Sequence, residues 1–128
     1  MGKRRNNRLG LVLAVAVGAG ILLGSWGVMQ AQSTREVTLV NIEFEGAKIW
    51  VPGPVVVKQG DNVRIRAINN VKSEPPVHGI AIDAYGIQAL VNVGKPEIIE
   101  FKADKAGIFP IFCQLHPPHV GTQLVVLE

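Results

Sequence analysis

From Arg35 to the C-terminus the chain is written in short runs in which apolar residues recur every second position, a period that suits strands and excludes amphipathic helices. The runs are VTLVNIEF, AKIWV, PVVVKQ, DNVRIRAI, VHGIAI, EIIEF, GIFPIFC and TQLVVLE. Between them fall residue types that turn a chain: Gly46, Pro52 to Pro54, Gly60-Asp61, Asn69-Asn70, Pro75-Pro76, Gly94 to Pro96 and Ala106-Gly107. About eight strands punctuated in this way predict an all-β sandwich or barrel. In DNVRIRAI, Val63, Ile65 and Ala67 are expected to face inward and Arg64 and Arg66 outward, as in an antiparallel sheet with one wet face. The stretch DAYGIQALVNVG, Asp83 to Gly94, has room for a helical turn.

A length of 128 residues allows one compact domain and a targeting segment. Lys3, Arg4, Arg5 and Arg8 precede an uncharged apolar run, Leu9 to Met29, which is the layout of an export signal or of an inside-positive membrane anchor. The run approaches the ~20 residues that a membrane-spanning helix needs. A hydrophobic N-terminal helix within residues 1–31, cleaved or retained, is therefore expected ahead of a domain over 32–128, with an exported, periplasmic or otherwise extracytoplasmic location. The formal charge of +3 reflects that basic block; the other nine Lys and Arg face ten Asp and Glu, leaving about −1. A nearly neutral domain without a basic stripe offers a phosphate backbone nothing, which sets nucleic-acid binding aside.

The three histidines and the single cysteine of the chain fall into one pattern: His78 in VHGIAID, then Cys113, His116 and His119 in CQLHPPH. A lone cysteine in an exported domain cannot close an internal disulfide, and of its remaining fates only metal ligation also uses the histidines. The alternative is an inert buried thiol beside surface histidines. One thiolate with imidazoles suits copper, because soft sulfur and borderline nitrogen together hold both oxidation states, whereas zinc accepts the same donors. Cys113 ends a strand-like run and His116 and His119 occupy the loop after it, while His78 would enter from a neighbouring strand at the same end of the sandwich. Pro117 and Pro118 would stiffen that loop, each by fixing φ. Pro110, inside a strand-like run, points to an edge strand or a bulge. Glu74 reads as a solvated turn residue and Trp50 as a packing residue. A cysteine nucleophile with His116 as its base is formally available but leaves His78 and His119 without a role.

An upstream histidine followed by Cys-x-x-His and a further ligand in the last loop resembles the cupredoxins. Within that family the nearest likeness is to the nitrosocyanins, red copper proteins, through VVVKQGD, IDAYGIQ, ADKAG, CQLHP and GTQLVVLE, spread over Val55 to Glu128. The resemblance implies a Greek-key β-sandwich holding one copper ion per chain, with His78, Cys113 and His116 equatorial and His119 where a weak axial ligand usually sits. Two departures stand out. His78 takes the place of the glutamate ligand of nitrosocyanins, and two residues separate His116 from His119 rather than four, a short loop similar to that of amicyanin. The expected function is single-electron transfer with redox partner proteins outside the cytoplasm, a carrier rather than an enzyme. The alternative, a copper-dependent oxidoreductase or a binding site for nitric oxide or another nitrogen oxide, needs an open position on the metal. His119 separates the two, since as a ligand it closes the site.

Overall fold

The computed structural model describes residues 33–116, 119 and 121–128. The expected N-terminal signal or anchor and the loop residues Pro117 and Pro118 lie outside them, and among the described residues no helix is long and apolar enough to cross a membrane. The protein is all β, as the period-two pattern predicts. Its strands are β1 (Thr34–Phe44), β2 (Ala47–Val51), β3 (Val55–Lys58), β4 (Asn62–Asn69), β5 (Val77–Ile82), β6 (Ile87–Asn92), β7 (Glu97–Lys102), β8 (Gly107–Ile111) and β9 (Thr122–Leu127).

One layer has the order β2-β1-β4-β7. In the other, β3-β9-β8 continues into the pair β5-β6, because Ala81 and Phe112 exchange backbone hydrogen bonds of 2.8 and 3.1 Å. Apart from the hairpin pairs β1–β2, β5–β6 and β8–β9, the connections cross from one layer to the other, which gives the expected Greek-key sandwich. The first layer is mixed, since β4 runs parallel to β1 and antiparallel to β7. That corrects the purely antiparallel expectation for DNVRIRAI, although Val63, Ile65 and Ala67 are buried as predicted. Arg66 is exposed and Arg64 half-buried, its Nε 2.9 Å from Glu100 Oε1.

The ninth strand, β6, lies in the stretch read as a possible helical turn. A single 3-10 turn, Asp83–Tyr85, does occur there and ends at Gly86 with φ 63°. Beyond it IQALVN contains no turn-forming break, and Ile87, Ala89 and Val91 line up opposite Ile82, Ile80 and His78 of β5. Asn69, taken as a break, is instead the buried last residue of β4. The β1–β2 hairpin turns at Glu45-Gly46, with φ of 49° and 79°; positive φ at both central residues matches the twist of the flanking strands.

The core lies between the layers. Leu39, Trp50, Val63, Ile65, Ala67 and Ile99 come from the first, and Val55, Val57, Ile80, Ile82, Val91, Ile111, Leu124 and Val126 from the second. Each large aliphatic side chain so buried contributes roughly 1.5–3 kcal/mol of transfer free energy. This frame makes β5 a fixed platform. Val77 is half-buried and the next five residues, His78 through Ile82, are buried on both faces.

Candidate metal centre

His78 is the second residue of β5 and shares its inward face with Ile80 and Ile82, yet it is fully buried, with an exposure of 0%. A polar ring is rare at such a position, and neither Nδ1 nor Nε2 finds a hydrogen-bond partner among the described residues. Cys113 follows β8 after one residue and is also buried, at 3% exposure. The chain then turns toward β9 through His116 and His119, both half-buried, and the His119 backbone N–H donates to the His116 carbonyl at 3.0 Å.

The structure gathers these four side chains at one end of the sandwich. One ligand atom from each lies within 4.8 Å of the ligand atoms of the other three. The ring centroids of His78 and His116 are 5.2 Å apart, those of His78 and His119 5.0 Å, and those of His116 and His119 5.2 Å. Cys113 Sγ stands 3.6 Å from His116 Nδ1. A tetrahedral ion with ligands at 2.0–2.3 Å holds its donor atoms roughly 3.3–3.8 Å apart, so this cluster needs only a small contraction to close on one ion. Three imidazoles and one thiolate, with buried nitrogens of His78 and His119 lacking partners among the described residues, fit a borderline or soft metal. Glu74 is exposed and stands apart from the group.

The electrostatics favour neutral, lone-pair-bearing rings. Burial pushes the His78 imidazole down to about 4, helped by His119, His116 and Lys48 and opposed by Glu43. Burial, His116 and Lys48 push His119 down as well. A neutral ring is the form that ligates. Lys48 lies on β2, its Nζ 3.9 Å from Glu43 Oε2, and so brings a half-screened charge pair to the edge of the histidine cluster.

Several residues that hold the site are not ligand types. The Gly79 backbone N–H donates to Cys113 Sγ at 3.1 Å, and Trp50 Nε1 donates across the sandwich to the Gly79 carbonyl at 3.2 Å. A side chain at Gly79 would collide with Gln114, whose Oε1 would lie 2.1 Å from a Cβ; the Gln114 amide covers this strand and donates to the Ala89 carbonyl at 3.2 Å. Asn69 ties the loop before His78 to the frame, donating to the Pro76 and Val91 carbonyls and accepting from the Val71 N–H. The sequence marks Trp50 only as a packing residue and Asn69 only as a turn. A glycine inside VHGIAI was the one available signal, since glycine in a strand marks a close approach. Pro110 lies on β8 opposite Gln123 of β9, and the join of β8 to β5 is made beyond it, at Phe112, so its missing N–H falls outside that bridge.

Comparison with known proteins points the same way. Residues 13–126 match the family described as cupredoxin-like domain. The nitrous-oxide reductase of Cupriavidus necator is 37% identical over 57 residues, which are 44% of this chain and 9% of that protein. The copper-containing nitrite reductase of Cereibacter sphaeroides is 29% identical over 103 residues, 75% of this chain and 26% of its own length. The chain thus spans about a tenth to a quarter of the curated relatives it matches. Among solved structures, the copper nitrite reductase of Nitrosomonas europaea superposes with a TM-score of 0.61 at 25% identity, covering 74% of this chain and 42% of that one. A copper-binding protein solved in its apo form gives 0.60 at 21% identity, covering 76% and 91%.

Proposed function

The chain belongs to the cupredoxin-like domain family, and from that premise we propose that it is a mononuclear copper protein of the electron-transfer kind, held outside the cytoplasm. One observation carries the reading: the only cysteine of the sequence and its three histidines converge on one point at one end of the sandwich. His78, Cys113, His116 and His119 would hold the ion. Bound there, copper supplies a one-electron couple that shuttles between Cu(I) and Cu(II). A single cysteine leaves no second sulfur to bridge two copper ions, so one ion per chain is the stoichiometry.

The rest of the chemistry belongs to the protein. His78 is fixed on β5, Cys113 directly follows the Phe112 bridge to that strand, and the Gly79 N–H holds the sulfur in place, so little rearrangement accompanies a change of charge. The neutral rings of His78 and His119 compete poorly for protons. Beside the ligand loop, Leu115 is 41% exposed and Leu90, paired with Gly79 on β6, is 51% exposed; they offer an apolar surface to a redox partner protein. Support for export comes from the basic block and apolar run at the N-terminus.

A second reading has its own support, because relatives named above are nitrous-oxide and nitrite reductases. It makes the site a place where a nitrogen oxide binds, as the nitrosocyanin likeness implies, and it requires His119 to leave a position free. Voltammetry of the copper-loaded full chain separates the two. Electron transfer predicts a reversible one-electron wave unchanged by nitrite or nitric oxide. A shifted wave or a catalytic current on adding either molecule would instead favour the small-molecule site.

A further inference from the structure

The inward face of the hairpin opposite β5 carries a second buried polar residue with no visible role. Asn41 of β1 is 1% exposed, and both its Oδ1 and its Nδ2 lack hydrogen-bond partners among the described residues. The same holds for both ring nitrogens of His78. Two orphaned polar groups in one core are unusual, since interiors pair almost all such atoms, directly or through ordered water.

The strand register places Asn41 in the first layer at the level of His78 in the second. Asn41 pairs with Trp50 of β2 on one side and with Asn69 of β4 on the other, so the three side chains point the same way. Both flanking residues reach the facing layer at the level of His78. Trp50 Nε1 contacts the carbonyl of Gly79, the next residue, and Asn69 Nδ2 contacts the carbonyl of Val91, the strand partner of His78. Asn41, between them, therefore looks onto His78. Its neighbours are turned to other partners: Trp50 has one N–H, which is used, and Asn69 is engaged through both its amide nitrogen and its oxygen. Glu43, two residues along the same face, is committed to Ser73 and Lys48.

We propose that Asn41 is a positioning residue for His78, holding through a buried water the imidazole nitrogen that the metal does not take. An imidazole gives one nitrogen to a metal and keeps a proton on the other, and that N–H needs an acceptor to fix the tautomer and the ring plane. No direct hydrogen bond joins the two side chains, so the link runs through a bridging water, for which an amide oxygen, an amide N–H and an imidazole N–H supply enough partners. The proposal rests on the metal-site reading for what the other His78 nitrogen does. The hydrogen bond itself belongs to the metal-free protein.

The test is imidazole nitrogen NMR on the metal-free full chain labelled at histidine, in the native sequence and in Asn41→Leu, followed by Zn(II) titration of each. The native protein should show one His78 tautomer, with an N–H protected from exchange and a cross-peak to long-lived water. In Asn41→Leu that protection should vanish, tautomers should mix and Zn(II) affinity should fall about 10- to 100-fold. Asn41→Ser, which leaves room and a hydroxyl for the water, should restore most of both. An unchanged His78 signal in a folded Asn41→Leu protein would overturn the proposal. Should that variant not fold, the native spectrum decides: a protected N–H with cross-peaks to water and to the Asn41 amide supports it, and an exchanging, mixed-tautomer ring overturns it. Failure of the chain to bind any metal, with the native His78 pattern intact, would remove the metal reading and leave this hydrogen bond standing.

Discussion

His78 is the residue whose chemistry is most altered by its place in the fold. Its imidazole is held at about 4 against an ordinary value of 6.5, with burial as the main cause. The native state therefore disfavours the proton that an unfolded chain would take up, and unfolding binds a proton between these two values. Stability from this group is fully present above pH 6.5 and is lost as pH falls toward 4, by roughly 3 kcal/mol at most. Chemical denaturation of the metal-free protein at pH 7.5 and pH 4.5 should show the lower value at pH 4.5, and His78→Phe should flatten much of that slope. A slope that persists unchanged in the variant would place the titration elsewhere. The cluster itself was legible in the sequence because Cys and His are scarce in it and three of the four residues lie within seven positions. Their supports were not. Trp50 meets Gly79 and Asn69 meets Val91 across 29 and 22 residues, contacts that no local pattern encodes.

At the level of elements, the site depends on how the chain leaves β8, presents Cys113, His116 and His119 and enters β9. Gly121 closes this segment against the end of β8: a Cβ there would lie 2.3 Å from the Ile111 carbonyl oxygen and 3.5 Å from Phe112 Cα. The obstacle is backbone on a strand fixed to both β9 and β5, so it cannot swing aside as a side chain could. Gly121→Ala should cost about 1–3 kcal/mol, as overpacking in a well-filled site does. It should also weaken metal binding, because the strain falls between Cys113 and β9; thermal unfolding with and without Zn(II) measures both. A wild-type melting temperature in the variant would show that the two strands are not rigidly joined there. Strands with alternation, such as β4, or with a short apolar run behind a turn residue, such as β9, could be read directly from the sequence. β6 could not, because DAYG resembles the start of a helix and because an exposed Leu90 interrupts the polar outer face. The mixed pairing of β4 was equally hidden, since burial on one face looks the same beside a parallel or an antiparallel neighbour.

Over the whole molecule, two layers converge on the cluster: Trp50 and Asn69 reach it from the first, and Cys113 and the three histidines come from the second or from its loop. An ion bound there ties β5 to the β8–β9 loop and stabilises only the folded state, so stability should rise with free metal concentration. The all-β class, the sandwich and the end at which the site would sit followed from alternation, turn residues and the placement of the histidines. The inner polar row of Asn41, Trp50 and Asn69 emerged only from the register. The central claim is that Cys113 and the three histidines hold a single copper ion, and a Cu(II) titration of the full chain followed by visible absorption tests it most directly. The expected result is an intense thiolate-to-copper band that saturates at one ion per chain and is absent in Cys113→Ser. A titration with no such band while Cys113 remains reduced, or one that saturates at two ions, would contradict it.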